Sequence, residues 1–449
     1  MLAGPDRDLL FLALSFSSSP SQPLHLRPYT MPGYNTLGYY DPYDFSDNSD
    51  SDEEDHMDQD VNMDIQSNDG VESQRSFRTR SSQPNSSVHS AGPSFKAMTE
   101  ASHPSSYTSY ERTNQDSQSR SPSPASVISL TDSLQTHIYR QEFGRGLNNY
   151  CDVYRLPADD EEWLRLEKQH QMFIEIMGAK YPPDMREIMN SVIPGEKKVL
   201  DLGCGNGAWI RDVARDFPFC EGLAVDLVPI RDARNLPPNV RSEVDDVNLG
   251  LDHFYGQFDV VHARLISSGV KDYQLLIERI SRILKPGALV ELAEFDFTIY
   301  NRFRQRIKVD LDAPVGPPYW SRFMAHMNRA VKSSGGDTDA ASHLWKWVTT
   351  HGAFENITYR DVWIPTIPGN DEMYAEHVYS MIRDDISAFL RSGKPLLLGH
   401  GVSEQELDII EQCSLRELNH SDEPQYTRLQ CIWATKRYDY VVLDNGADV

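Results

Sequence analysis

The sequence predicts an α/β fold built on a mostly parallel sheet, and three observations support that class. After about residue 195, short apolar runs that fit strands alternate with segments of helical periodicity, the pattern of a parallel sheet with crossover helices. A glycine-rich turn separates the first of these strands from the helix that follows it. Polar residues stand at the carboxyl ends of several strands, which is the edge at which open α/β sheets bind ligands.

A long N-terminal segment differs in composition from the rest of the chain. Residues 41–70 contain 12 Asp or Glu and no Lys or Arg, and residues 71–130 contain 18 Ser. Aliphatic residues are sparse and follow neither a helical nor a strand period. The segment therefore cannot bury enough apolar surface to offset the entropy of ordering. We expect a disordered acidic and Ser-rich leader over residues 1–130 and a folded domain over residues 131–449.

The overall composition disfavours several classes of function. The formal net charge is −24, which argues against direct binding to nucleic acid because phosphate neutralisation needs clustered Lys and Arg. The five cysteines are widely spaced and form no C-x-x-C pair, so we expect neither a disulfide framework nor a metal site. No stretch approaches the ~18 apolar residues of a membrane helix. These features predict a cytoplasmic or nuclear protein that does not enter a membrane.

The folded part is predicted to begin with an amphipathic helix over residues 159–178. Its first turn is acidic, which the partial positive charge of a helix N-terminus favours. Apolar side chains such as Trp163 and Phe173 recur after that turn. We expect Pro182 and Pro183 to end the helix, since proline cannot continue one.

The glycine-rich turn lies between a short strand, residues 197–203, and a second helix. From Ile210 onward, apolar residues recur in that helix at i, i+3, i+4 and i+7, the spacing needed to pack on a sheet. Glycine in the turn permits positive φ and lets a ligand lie against the backbone, while the helix N-terminus adds unpaired N–H groups. The sequence therefore predicts a nucleotide-binding crossover in which Gly203, Gly205 and Gly207 contact the ligand.

Two acidic residues indicate which nucleotide binds. The glycines and Ala208 also satisfy a loose dinucleotide pattern, but Asp201 stands two residues before the first glycine, where its carboxylate would repel a pyrophosphate. S-adenosylmethionine carries an ammonium and a sulfonium and no phosphate, and so it suits this acid. Asp226 ends the next strand, 19 residues after Gly207. That distance is close to the ~20-residue spacing of an acid that accepts from ribose hydroxyls.

The third and fourth strands add further candidates. We expect Asp246, with Asp245 as its alternative, to accept from the adenine amino group, while Val247 supplies a backbone N–H. The fourth strand ends in His262 and Arg264. His262 is the predicted general base because of its expected place beside the transferred methyl group, although a lone histidine at a strand end is more often structural. We expect Arg264 to form a local salt bridge and not to contact the substrate.

The rest of the chain fits the same plan. Asp272 is predicted to cap a helix, and residues 284–287 to turn the chain into a fifth strand. That strand ends near Glu294, which we expect to face the pocket or to pair with an arginine. Residues 297–345 interrupt the sheet and contain a predicted lid helix over 317–331. The last two strands are predicted at 354–368 and 427–437, with a helix at 373–393 between them. Side chains that either line the pocket or belong to the core are Tyr139, Tyr150, Trp320, Met324 and His326.

Together these motifs resemble the class I S-adenosylmethionine-dependent methyltransferases, most strongly over residues 194–296. The resemblance rests on "VLDLGCGNG", the later acid in "VDL", "FDVVHAR" and "LKPGALVELAE". The segment 140–173 resembles the entry segment of fungal LaeA-like methyltransferases. That family implies a Rossmann-like, seven-stranded methyltransferase sheet, mostly parallel with an antiparallel last strand. In it, residues 194–296 form the cofactor-binding core and residues 297–427 the lid and substrate-side elements.

Two functions are compatible with the resemblance. The first is an S-adenosylmethionine-dependent methyltransferase of fungal secondary metabolism, which transfers a methyl group to an oxygen or nitrogen of a small molecule. The second is a LaeA-like nuclear regulator of secondary-metabolite gene expression, which acts through protein partners such as velvet-domain factors. A leader of 130 residues favours regulation, whereas an aromatic-lined pocket favours a small substrate. We favour the first function, because the methyltransferase domain is common to both.

Overall fold

The computed structural model describes residues 138–231, 236–369 and 373–440. The leader predicted over residues 1–130 lies outside this part, so its disorder and the domain boundary at residue 130 remain predictions. Within the described residues the chain forms a two-stranded hairpin, a seven-stranded sheet and eight α-helices.

The seven-stranded sheet forms the centre of the described part. The strands of the molecule are β1 Tyr139–Glu142, β2 Arg145–Asn148, β3 Lys198–Leu202, β4 Glu221–Asp226, β5 Val240–Val244, β6 Phe258–Arg264, β7 Leu284–Tyr300, β8 Phe354–Ile367 and β9 Gln425–Lys436. Strands β1 and β2 pair as a separate hairpin, and the sheet order is β5-β4-β3-β6-β7-β9-β8. Neighbouring strands are parallel except for β9, which runs antiparallel to both β7 and β8. The predicted sheet, mostly parallel with an antiparallel last strand, is therefore confirmed.

Eight helices pack around this sheet. They are α1 Asp160–Met177, α2 Asp184–Ile188, α3 Ala208–Asp216, α4 Tyr273–Ile283, α5 Tyr319–Ser334, α6 Ala340–Thr350, α7 Glu376–Gly399 and α8 Glu404–His420. The sequence predicts α1, α3, α4, α5 and α7, and it misses α2, α6 and α8. Helix α8 has a recognisable start signal, because the Ser403 side chain accepts from the backbone N–H of Glu406 as an N-cap.

The end of α1 differs from the prediction. The helix stops at Met177 because Gly178 takes the left-handed conformation, with φ of 72°, and donates its N–H to the carbonyl of Ile174. Glycine is favoured there since it has no Cβ to clash. Pro182 and Pro183 lie beyond this cap and do not end the helix.

Strand β7 is longer than predicted. It begins at Leu284, which pairs with Phe258, and the register then shifts so that the next pair is Val260 with Leu289. Residues 284–287, predicted as a turn before the strand, are therefore part of β7, and the extra residues form a bulge within it. The predicted cap of the preceding helix is present, because Asp272 accepts from the backbone N–H of Leu275.

The core consists of layers on both faces of the sheet and a third cluster beside its β7–β9 half. Strand β3 is buried on both faces, with Val199, Leu200 and Leu202 all 0% exposed, which is why apolar residues occupy both of its faces. The third cluster joins α1, α5, α7 and α8 to β7, β8 and β9. Helices α1, α5 and α7 of this cluster provide much of the wall of a large cavity.

Candidate functional site

A cavity of about 230 Å³ opens at the carboxyl ends of β3, β4 and β6. This is the edge at which an open α/β sheet binds ligands. The predicted site residues that line it are Asp201, Gly203, Gly205, Asp226, Asp246, Val247 and His262. Gly207 is not among the lining residues; it is the N-terminal cap of α3, with φ of 75°. The structure thus brings together all but one of the predicted residues.

The glycine-rich turn follows β3 with three positive φ angles. Gly203 has φ of 67° and Gly205 has φ of 56°, a region that L side chains rarely adopt. A Cβ on Gly203 would lie only 2.3 Å from Cγ2 of Ile266. The packing of Ile266 against the turn therefore requires glycine at this position even without a ligand. Asn206, which the sequence analysis missed, ties the turn to α1 by donating to the carbonyl of Trp163.

Asp201 and His262 form a buried pair at the centre of the site. The two residues lie side by side because β3 and β6 are neighbours and pair in that register. Nδ1 of His262 is 2.8 Å from Oδ1 of Asp201. The other carboxylate oxygen, Oδ2 of Asp201, is buried and has no hydrogen-bond partner among the described residues. A buried oxygen of this kind is costly unless a ligand completes its hydrogen bonds.

The protonation state of His262 follows from this environment. Burial lowers the pKa of His262 below its usual value, and the nearby Asp201 carboxylate opposes that change only in part. The ring is therefore neutral at pH 7. Because a carboxylate can only accept, Nδ1 carries the proton and Nε2 keeps its lone pair. Trp209 stacks on the ring, with centroids 3.8 Å apart and planes 6° from parallel, and so fixes its orientation.

Asp226 lies against the glycine turn from the neighbouring strand. Its Oδ2 accepts from the backbone N–H of Gly205 at 2.8 Å, and its Oδ1 accepts from that of Val228 at 3.3 Å. Burial raises the pKa of Asp226 to about 6, although these N–H groups favour the ionised form. The protein itself therefore holds the Asp226 carboxylate against the glycine turn, without a ligand.

Both members of the Asp245–Asp246 pair line the cavity. Oδ1 of Asp246 accepts from the backbone and side-chain N–H groups of Asn248, at 3.0 and 2.7 Å. Oδ2 of Asp245 lies 3.3 Å from Nε2 of His253. The choice between the two as acceptor from an adenine amino group therefore stays open.

Two predictions about charged residues at strand ends are wrong. Arg264 forms no salt bridge with any Asp or Glu of the described ranges; it lines the cavity, and its Nη2 lies 3.2 Å from Nδ1 of His170. Glu294 neither faces the cavity nor pairs with an arginine. Its Oε1 instead accepts from the backbone N–H groups of Ile266 and Ser267 and from the hydroxyl of Tyr273. Glu294 thereby fixes the loop that follows β6.

The part of the cavity lined by β7, β8, β9, α5 and α7 is mainly apolar. Its apolar lining residues are Phe295, Phe297, Trp320, Met324, Ile364, Ile382, Ile386, Phe389 and Leu429, and Thr366, Asp385 and Thr427 also line it. Of the side chains proposed from sequence, Trp320 and Met324 line this part, whereas Tyr139, Tyr150 and His326 do not. Nε1 of Trp320 is buried without a hydrogen-bond partner in the described part of the chain.

A buried ionic network joins α1 to α7 beside the cavity. Arg165 pairs with Glu162 at 2.6 Å and with Asp385 at 2.9 Å, and Gln169 donates to the second oxygen of Asp385. The sequence analysis missed this network. A signal was present in the charged residues spaced three and four apart along α1, but their partner on α7 is more than 200 residues away.

The described residues contain no group of three or more His, Cys, Asp or Glu side chains placed to hold a metal ion. Among the helices of these residues, none has the length and apolar character of a membrane span.

Comparison with known proteins agrees with this architecture. A family model described as a methyltransferase domain matches residues 173–336. Over 331 residues the chain is 51% identical to the secondary metabolism regulator laeA of Coprinopsis cinerea, covering 74% of this chain and 81% of that protein. It is 25% identical to the methyltransferase str2 of Strobilurus tenacellus over 270 residues, 60% of this chain and 90% of that one.

A solved structure gives a weaker match. A phosphoethanolamine N-methyltransferase of Haemonchus contortus aligns at 15% identity and a TM-score of 0.34, covering 62% of this chain and 60% of that one. The match to laeA, by contrast, covers most of both chains. Together with the match of residues 173–336 to a methyltransferase domain, it shows that the chain belongs to the LaeA-like family of fungal methyltransferases.

Proposed function

We propose that the protein is an S-adenosylmethionine-dependent methyltransferase of fungal secondary metabolism, which methylates an oxygen or nitrogen of a small molecule. One observation carries the proposal. The cavity is lined by two carboxylates on adjacent strands beside a turn of positive-φ glycines, the buried Asp201 and the half-buried Asp226, and Oδ2 of Asp201 has no partner within the described residues.

The residues present fit this cofactor. Oδ2 of Asp201 would accept from the ammonium of its methionine end. Each carboxylate oxygen offers about two lone pairs, so Asp226 would accept from ribose hydroxyls while it keeps its bonds to the backbone. Asp246 or Asp245, with the backbone N–H of Val247, would contact the adenine. These acids suit a cationic nucleoside and would repel a pyrophosphate.

The chain's own residues would then align the reactants. The bound cofactor supplies a methyl group already activated by the sulfonium charge. Holding an acceptor in line with it is worth up to ~7–11 kcal/mol. The mainly apolar part of the cavity would exclude water and hold the body of the acceptor.

His262 is the proposed general base when the acceptor is a hydroxyl. The Nδ1–H is held by Asp201, and the free lone pair on Nε2 would take the proton of the acceptor. The lowered pKa of His262 keeps the ring neutral and able to accept at pH 7. A positioned base contributes ~10²–10⁴-fold in rate.

A second candidate function is regulation of secondary-metabolite gene expression in the nucleus through protein partners of the velvet type. The 51% identity to a protein named as a secondary metabolism regulator favours it. The segment proposed to contact such partners, residues 1–130, lies outside the described residues.

Calorimetry with S-adenosylhomocysteine tests the cofactor site. We expect the wild-type protein to bind, and Asp201→Asn to weaken binding at least ~10-fold, the equivalent of about 1.4 kcal/mol. Asp259→Asn is a matched control, because Asp259 is a buried acid near the start of β6, where it pairs with Lys197 and Lys285 away from the cavity. The absence of any heat with the wild-type protein would contradict the proposal.

A further inference from the structure

We propose that the guanidinium of Arg264 is a binding site for a ligand carboxylate inside the cavity. This inference rests on the proposed function and adds an anionic contact to it. It replaces the expectation of a local salt bridge at Arg264.

Within the part of the chain that the structure describes, the guanidinium of Arg264 has one hydrogen-bond acceptor, which is His170. It is the last residue of β6 and lines the cavity. Its guanidinium lies 5.1 Å from the centre of the Phe173 ring and donates to Nδ1 of His170. A guanidinium has five N–H groups, and across residues 138–231, 236–369 and 373–440 no carboxylate pairs with it.

His170 holds this guanidinium in place without neutralising it. Nε2 of His170 lies 3.3 Å from Oδ2 of Asp212. Burial lowers the pKa of His170, and the charge of Arg264 lowers it further, so the ring is neutral. Its proton therefore faces Asp212, and its lone pair faces Arg264. The contact orients the arginine but contributes no negative charge.

Nearby acids do not supply the missing charge either. Glu291 lies on β7 close enough to act on Arg264 through space, but burial raises the pKa of Glu291 to about 8, so it is protonated at neutral pH. Asp201 also acts only at longer range, and its Oδ1 is engaged by His262. Removing a charge from water costs several kcal/mol unless a partner compensates, and a bound anion would provide that partner.

The pattern of charges indicates the chemical class of the ligand. Among the described residues, Oδ2 of Asp201 has no hydrogen-bond partner and the guanidinium of Arg264 has no carboxylate partner. Arg264 lies two residues beyond the register partner of Asp201 on the adjacent strand. One acceptor and one donor at this spacing complement the ammonium and carboxylate of an α-amino acid. The methionine end of the cofactor has this structure, and an acceptor that bears a carboxylate is the other source.

Calorimetry with two nucleosides tests the inference. S-adenosylhomocysteine carries the amino acid end, whereas 5′-methylthioadenosine lacks it. If the cofactor provides the carboxylate, Arg264→Gln weakens binding of S-adenosylhomocysteine at least ~10-fold and leaves 5′-methylthioadenosine unchanged, and Arg264→Lys restores part of the loss. Thermal unfolding checks that each variant is folded. Arg322→Gln is the control, because Arg322 is a buried arginine outside the cavity lining whose guanidinium donates to backbone carbonyls of residues 313–316.

A second titration covers the other source. Benzoate and benzamide are added to the protein saturated with S-adenosylhomocysteine. Benzoate binding that Arg264→Gln removes, with nucleoside affinity unchanged, assigns the carboxylate to the acceptor. If the wild-type protein and Arg264→Gln bind every probe with equal affinity, the carboxylate site at Arg264 is overturned and the proposed function is unaffected. If the wild-type protein binds neither nucleoside, both the proposed function and the carboxylate site are overturned.

Discussion

The protonation state of a single site residue depends on its surroundings in the fold. Asp226 is the clearest case. Its carboxylate is largely removed from water, which favours the neutral acid, and it accepts from the backbone N–H groups of Gly205 and Val228, which favour the ionised form. Burial has the larger effect, so the pKa of Asp226 rises to about 6 and lies close to physiological pH. Its charge is therefore expected to influence ligand binding within an accessible pH range.

The affinity for S-adenosylhomocysteine is expected to fall as the pH drops from 8 to 5. Below about pH 6 the Asp226 carboxyl is protonated, and a neutral acid is a poorer acceptor for ribose hydroxyls than a carboxylate. Calorimetry across this range measures the effect. Asp226→Asn should bind weakly at every pH and lose most of the slope. A variant that retains the full wild-type slope would show that another group titrates.

At the scale of elements, two of the ionic connections between helices α1 and α7 differ in burial. The buried network centred on Arg165 links Glu162 to Asp385, and the exposed pair of Arg391 with Glu161 links the same two helices at the surface. Both helices contribute wall residues to the cavity. The two connections differ in burial and not in the elements that they join, so they form a matched comparison.

Arg165→Leu is expected to lower the free energy of unfolding by about 3–5 kcal/mol, because it leaves the buried carboxylate of Glu162 and the half-buried carboxylate of Asp385 without a cationic partner. Arg391→Leu should cost no more than about 1 kcal/mol, since an exposed ion pair is screened by solvent. Urea denaturation measures both values. Equal losses in the two variants would mean that the buried network does not hold α1 to α7.

At the scale of the whole molecule, the methyltransferase domain is common to both candidate functions, and they differ in the role given to residues 1–130. An enzyme of one pathway requires only the folded domain. A regulator that acts through the leader requires the leader for its effect in cells.

Deleting residues 1–130 is expected to leave S-adenosylhomocysteine binding and thermal unfolding unchanged, because all the residues of the cavity lie beyond that segment. Metabolite profiles of a strain that carries the truncated protein, beside a full deletion strain, separate the two functions. If full deletion removes one methylated product and truncation leaves it in place, the protein acts as an enzyme of one pathway. If truncation by itself silences many pathways, methylation of one small molecule does not explain the effect in cells, and the regulatory function is supported.

Local sequence patterns were enough to predict the parallel α/β core, the glycine turn and the positions of Asp201 and Asp226, whereas the seven strands and the antiparallel last strand were implied by the family resemblance. A buried parallel strand, a positive-φ turn and an amphipathic helix each depend on residues close together in the chain. These elements can therefore be predicted without knowledge of the fold. Gly203 and Gly205 line the cavity, as predicted. Gly207 does not, because the chain has already turned into α3 at that point.

Only the tertiary structure decided what these residues contact. The pairing of Asp201 with His262 depends on β3 and β6 being neighbours, and that of Arg165 with Asp385 depends on α7 packing against α1. That no described carboxylate forms an ion pair with Arg264 likewise depends on which side chains the fold brings to it. Contacts between residues 60 or more positions apart produce no periodic pattern in the sequence. They depend on which elements pack against each other and not on local conformational propensity.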